Sequence, residues 1–294
     1  MTSSLVSLLT SFGSLFFSLR LVSDMTTQHL NVMSLKDKFG DEHTCREYLE
    51  KLRWPSEVAC PRCGDCSVSE ITTRDQFDCN SCRYRFSVTS GTIFDNTKLP
   101  LRKRFVAMYL RIESKKGISA NQMKRTLGLS YKTAWYLCHR IREAMGNDPL
   151  IGPTLFGIVE VDETLVGGKR RCGGTGHRVG NTWVAGAVQR DGRIRLESIP
   201  NIEKVTLHDF IKRTVKDEAE WVVGDVHTNS VEGVWSLFKR SIVGPFHHIS
   251  AKHMDRYLKE LEWRFNNRDN PFMFRDLLLR ILDGEELRYD ALTA

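Results

Sequence analysis

The chain has 294 residues, 41% of them hydrophobic and 27% charged, with a net charge of +7 and a pI near 9.0. That is globular composition, with room for two or three domains. The basic balance favours a polyanionic partner, because clustered Lys and Arg displace counterions from phosphates. Four of the eight Cys fall in two C-x-x-C pairs, which reads as metal ligation in a reducing compartment and excludes a disulfide framework. Cys45, Cys66, Cys138 and Cys172 show no pairing pattern.

In chain order, residues 1–24 hold an apolar, Ser-rich run. No basic region precedes it, and Arg20 comes near its end. It reads as a disordered or spurious leader in preference to a membrane anchor, with the working chain starting near Met25. Residues 25–57 form a helical segment, with one helix over 34–54 closed by Pro55. Residues 58–95 are short β pieces between the Cys pairs. Residues 96–146 hold three helices, and 147–154, with two Pro and a Gly, are a linker. Strands then follow at 156–161, 182–189 and 194–199, with Asp191-Gly192 as a hairpin turn between the last two. A helix at 207–215, a strand at 221–226 and further helices complete an α/β unit over 155–280, broken at Asn270-Pro271 and followed by a tail over 281–294.

Three stretches carry chemistry. Cys60-Pro61-Arg62-Cys63, fifteen residues, then Cys79-Asn80-Ser81-Cys82 match a tetrahedral zinc site held by two knuckles. With four protein ligands the site is closed to substrate, so the zinc is structural. Cys66 ranks below Cys60 and Cys63 as a ligand, and Arg83-Tyr84-Arg85-Phe86 forms a strand of this zinc ribbon. Next, Ser119 caps a helix to Leu127, Gly128-Leu129-Ser130 makes a tight turn, and a second helix spans 131–145. This is helix-turn-helix spacing, with Lys132, Thr133, Tyr136, His139 and Arg140 outward to meet DNA; a plain helical hairpin with a solvated basic face is the alternative. Third, Val159-Glu160-Val161-Asp162-Glu163-Thr164 places a carboxylate at the end of an apolar strand, ahead of Lys169, Arg170 and Arg171, which would hold a DNA backbone. Glu232 and Lys239 follow on one face of a helix beginning at Asn229 or Ser230. Asp162 and Glu232 together suit a magnesium site, while Lys239 meets a phosphate. Over 251–266, Met254, Leu258, Leu261 and Phe265 form a core stripe.

The order of these motifs resembles the ISXO-type insertion-sequence transposases. Val161-Asp162-Glu163-Thr164 with Gly167-Gly168-Lys169, then His227-Thr228-Asn229-x-x-Glu232-x-x-Trp235-x-x-x-Lys239-Arg240, carry the resemblance. Gly244-Pro245-Phe246-His247-His248 and Arg264-Phe265-Asn266-x-Arg268 add to it. It implies a ribonuclease-H-like catalytic domain with a DDE acidic set using Mg2+ or Mn2+. It also implies binding to double-stranded DNA at inverted repeats and target, as a homo-oligomer in a bacterial cytoplasm. By resemblance Asp162 is the first acid, Glu232 the third with Asn229 an alternative, and Lys239 the trailing base; Arg240 adds a DNA contact. The segment that carries the family's second Asp is missing. Either an internal deletion has left a non-catalytic DNA-binding remnant or regulator, or 221–226 now serves as the fourth strand and Asp225 replaces the lost acid.

Overall fold

The computed structural model describes residues 30–146, 155–167, 182–190, 192–216, 219–223, 229–247 and 249–293. The leader and the linker lie outside them.

The single helix expected over 34–54 is two, α1 (Val32–Lys38) and α2 (Glu42–Arg53). Gly40 follows the break, and Asp41 caps α2 by accepting from the Thr44 N–H at 2.8 Å. The interruption turns Phe39 inward, its ring 5.0 Å from those of Tyr48 and Phe105. A three-stranded antiparallel sheet follows, β1 (Val68–Ile71), β2 (Gln76–Cys79) and β3 (Arg85–Phe86), in the order β1-β2-β3. The strand expected from Arg83 begins only at Arg85, because Arg83 takes a left-handed φ of 57° to close the second Cys pair. Trp54 packs edge-on against Phe77 and Phe86, and the Arg53 guanidinium donates to the carbonyls of Val88 and Ser90. These contacts dock the small sheet on α2.

Helices α3 (Leu101–Glu113), α4 (Ala120–Leu127) and α5 (Tyr131–Gly146) come next. Ser119 and Ser130 cap α4 and α5, each accepting an N–H three residues on at 3.1 Å.

The second sheet contains β4 (Ile158–Val166), β5 (Thr182–Gln189), β6 (Ile194–Ile199) and β7 (Glu220–Val223), in the order β6-β5-β4-β7. Strand β7 is parallel to β4, and the other pairings are antiparallel. Helix α6 (Lys204–Thr214) covers one face, with Phe210 against Val159, Val161, Ala185 and Ala187. Helices α7 (Asn229–Ser241) and α8 (Met254–Asn266) cover the other, where Val234, Trp235, Phe238 and Leu258 meet Val184, Val188 and Leu196. Apolar residues at alternate positions on β5 point to opposite layers, which is what a sheet covered on both faces requires.

Helix α9 (Met273–Asp283) does not join this sheet. Phe274, Leu277, Leu278 and Ile281 pack with α2, α3 and α5, so the helical core takes in a helix from the far end of the chain. The short α10 (Tyr289–Thr293) closes on α5. Between α3, α5 and α8 the fully buried Glu260 carboxylate accepts from Arg111 at 2.8 Å and Arg142 at 2.7 Å, tying the two bodies together. Burial alone would raise the Glu260 carboxyl, but the surrounding guanidinium groups of Arg111, Arg142 and Arg264 pull it down to about 2.

Candidate metal centres and nucleic-acid interface

Cys60, Cys63, Cys79 and Cys82 converge, with all four Sγ atoms within 4.8 Å of one another. The Cys60–Cys82 and Cys63–Cys79 sulfur pairs are 3.7 and 3.5 Å apart. Zinc–sulfur bonds of about 2.3 Å in a tetrahedron demand sulfur separations of about 3.8 Å, so this thiolate cage fits the ion. Each pair sits on a tight turn: the N–H of Gly64 reaches the Cys60 carbonyl at 2.8 Å, and that of Arg83 the Cys79 carbonyl at 2.9 Å. Cys66 is exposed and stands outside the group.

The second site lies on β4. Asp162 was expected at a strand end; it is mid-strand instead, paired across to Gly186 of β5. The strand runs on because Thr164 and Val166 continue the buried alternation past the two acids, which mask the pattern in sequence. Glu160 and Asp162, two residues apart, face the same side, toward α7. Asp162 Oδ2 accepts from the Trp235 indole N–H at 2.9 Å. Gly186 makes room for that ring, since a Cβ there would come within 2.6 Å of it. Glu160, 2% exposed, accepts from the N–H groups of Ser230 (2.8 Å) and Val231 (3.2 Å), from the Ser230 hydroxyl and from Arg190. Burial opposes the Glu160 carboxylate, yet Arg190 and the donors at the start of α7 outweigh it and hold its carboxyl below the usual range. Two of the three acids of β4 therefore grip α7, Glu160 at its N-terminus and Asp162 nearly two turns in.

Glu160 escaped the sequence reading. The available signal was its position two residues before Asp162, on the same strand face, together with a helix start at Asn229 whose first N–H groups need an acceptor. On α7, Asn229, Glu232, Lys239 and Arg240 are exposed, opposite the buried Val231, Val234, Trp235 and Phe238. Asp225, Lys169, Arg170 and Arg171 lie outside the described residues. Among the described residues, the four Cys are the one group of three or more metal-binding side chains whose donor atoms gather.

On the helical hairpin, Tyr131, Lys132 and Thr133 are exposed at the start of α5, beside exposed Lys124 and Arg125 on α4. The outward face expected farther along α5 is not there. Arg140 is 2% exposed and His139 fully buried. Arg140 donates to the Leu287 carbonyl, the Tyr136 hydroxyl and Thr97, and the half-buried Tyr136 hydroxyl donates to Leu287 as well. His139 lies 4.2 Å from the Trp135 ring and 4.7 Å from that of His253; burial, reinforced by Arg142, keeps it neutral down to about 2. The helix wheel of α5 admits one buried stripe against α4, but α8 and the C-terminal segment cover further faces, so His139, Arg140 and Arg142 are buried as well.

Residues 40–85 match the transposase zinc-ribbon domain family, and residues 154–225 and 216–266 match the ISXO2-like transposase domain. An "uncharacterized protein in transposable element ISH50" from Halobacterium salinarum is 26% identical over 274 residues, covering 77% of this chain and 91% of its own. That alignment is longer than the part of this chain it spans, so it opens gaps here. No solved structure matches. The chain thus carries a transposase zinc ribbon followed by an ISXO2-like transposase domain, in the order its motifs suggested, and is similar to a protein of an insertion element.

Proposed function

We propose that the chain binds DNA at the ends of an insertion sequence through its helical hairpin, and that its sheet domain is a ribonuclease-H-like cutting unit. The observation that carries this is β7, a strand parallel to β4 in a sheet ordered β6-β5-β4-β7. Three antiparallel strands followed by a fourth beside the first is the ribonuclease-H-like pattern, and it sets Asp162 on the central strand. Asp225, two residues past β7, is then the candidate second acid and Glu232 of α7 the third, with Asn229 beside it. A set of carboxylate oxygens suits Mg2+ or Mn2+. Such an ion, when bound, supplies activation of water or a 3′-hydroxyl and stabilises the leaving oxygen. Trp235 restrains one oxygen of Asp162 and leaves the other for a ligand. Lys239 and Arg240, exposed on α7, are placed to meet phosphates, and Lys169, Arg170 and Arg171 would add to them.

At the hairpin the contact set is smaller than the sequence suggested. Lys132 and Thr133 at the start of α5 are the base-facing candidates, because the first turn of a recognition helix meets base edges. Tyr136 and Arg140 buttress the helix from behind.

A second reading, a DNA-binding remnant without cutting activity, is favoured by a different observation. The DDE match falls in two segments that overlap at 216–225, and the alignment with the ISH50 protein opens gaps in this chain, as an internal deletion would. The experiment is a nicking assay with Mg2+ or Mn2+ on duplexes carrying the element's ends, for the chain, Asp162→Ala and Asp225→Asn. Cutting by the chain and loss in both variants is the expected result. Salt-sensitive DNA binding with no nicking establishes the remnant, and equal nicking by all three removes the catalytic assignment.

A further inference from the structure

The C-terminal segment past α9 returns to the hairpin. At Gly284 the chain squeezes past Ile93, where a Cβ would lie 2.4 Å from the Ile93 side chain. Asn96 then bonds Glu286 at 2.9 Å, and the Leu287 carbonyl receives Tyr136 and Arg140. Leu292 of α10 is fully buried. The Tyr289 ring packs edge-on against Trp135 and Tyr136, at 6.0 and 5.5 Å, and the Lys132 ammonium stands 4.4 Å from its centroid. Lys132 nevertheless stays exposed.

From this arrangement we infer that residues 284–293 are part of the DNA-reading unit, and that Tyr289 is a positioning residue for Lys132. The inference rests on the hairpin's binding DNA. A lysine on a free helix turn samples many rotamers and must be ordered when it meets a phosphate or base edge. Here a cation–π contact pre-orders it on a ring that is itself wedged against α5. The carbonyl of Leu287 meanwhile satisfies Tyr136 and Arg140, so the segment also sets the pitch of α5 on the helical core. Lys132 stays exposed beside the ring, which marks the segment as a support and not a cover.

The test is fluorescence anisotropy of a labelled mixed-sequence duplex across a salt series, using the full chain, Tyr289→Ala, Tyr289→Phe, Lys132→Ala, the double variant Lys132→Ala/Tyr289→Ala, and a chain ending at Asp283. Circular dichroism confirms that each is folded. Tyr289→Ala is expected to weaken binding roughly two- to five-fold, the scale of an exposed-to-partly-desolvated cation–π contact. Tyr289→Phe keeps the ring and should bind like the parent chain. In the Lys132→Ala background, removing Tyr289 should have no further effect, a coupling that a merely structural role would not produce. Lys132→Ala should lower the salt slope by about one. The chain ending at Asp283 should lose more affinity than Tyr289→Ala. Unchanged affinity for Tyr289→Ala and the shortened chain overturns the proposal, and tighter binding by either overturns it in favour of a cover that hides the hairpin. Absence of salt-dependent binding by the full chain itself defeats the DNA-binding assignment before any variant is compared.

Discussion

Replacing Glu160 by Ala tests whether β4 holds the start of α7. The change removes the acceptor shared by the Ser230 and Val231 N–H groups and the Ser230 hydroxyl, and takes one carboxylate from Arg190. Losing a helix cap costs about 1 kcal/mol. Losing a buried hydrogen bond to a charged group costs about 1.5–3 kcal/mol. The Arg190 side chain is 41% exposed, so water and salt screen its share, which adds little. The local cost is therefore about 3 kcal/mol. Amide hydrogen exchange along α7 should accelerate about a hundredfold, provided the helix opens as a unit. Glu160→Gln keeps an acceptor oxygen of the same reach and should accelerate exchange by only about tenfold. The pH dependence has a definite sign. Because the folded carboxyl titrates below the ordinary glutamate value of 4.5, its stabilisation is complete above that value and is lost as pH falls through the folded one. In Glu160→Gln that acid-dependent loosening of α7 should vanish. Parental exchange rates for α7 in Glu160→Ala would mean that the helix is held by its apolar face alone.

Three further perturbations address the rest of the molecule. Zinc removal by a chelator, or Cys63→Ser, should unfold the ribbon over residues 58–90, because its own apolar cluster around Phe77 and Phe86 is small; α3 to α5, which have a separate core, should keep their exchange protection, and a ribbon still protected after full metal loss would refute this. Gly186→Ala should push the Trp235 ring off Asp162 and cost about 1–3 kcal/mol from overpacking; the Trp235 indole N–H resonance, identified by its loss in Trp235→Phe, should shift, and an unmoved signal counts against the notch. Glu260→Gln should cost about 3–5 kcal/mol in chemical unfolding, because Arg111, Arg142 and Arg264 would share a buried site without their counter-charge. Since the Glu260 carboxyl is held down to about 2, its stabilisation is present above pH 4.5 and lost toward pH 2, so an acid titration should separate the parent chain from the variant.

The amino-acid sequence alone determined what local chemistry dictates. Two C-x-x-C pairs specify a four-thiolate cage, because their spacing leaves each pair on one turn. Ser119, Gly128-Leu129-Ser130 and the apolar spacing beyond them define α4 and α5 to within a residue, because caps and helical periodicity act over a few positions. Tertiary structure decided where polar residues face. Asp162 sits mid-strand because β4 stays paired with β5 as far as Val166, and Glu160 became a clamp only when α7 brought its free N–H groups against β4. Arg140 and His139 look like outward polar positions on a helix wheel, yet they are enclosed by α8 and by a C-terminal segment about 150 residues away in sequence. A periodic pattern reports that a helix has an apolar stripe; how many of its other faces are covered depends on partners far along the chain, and no local pattern encodes them.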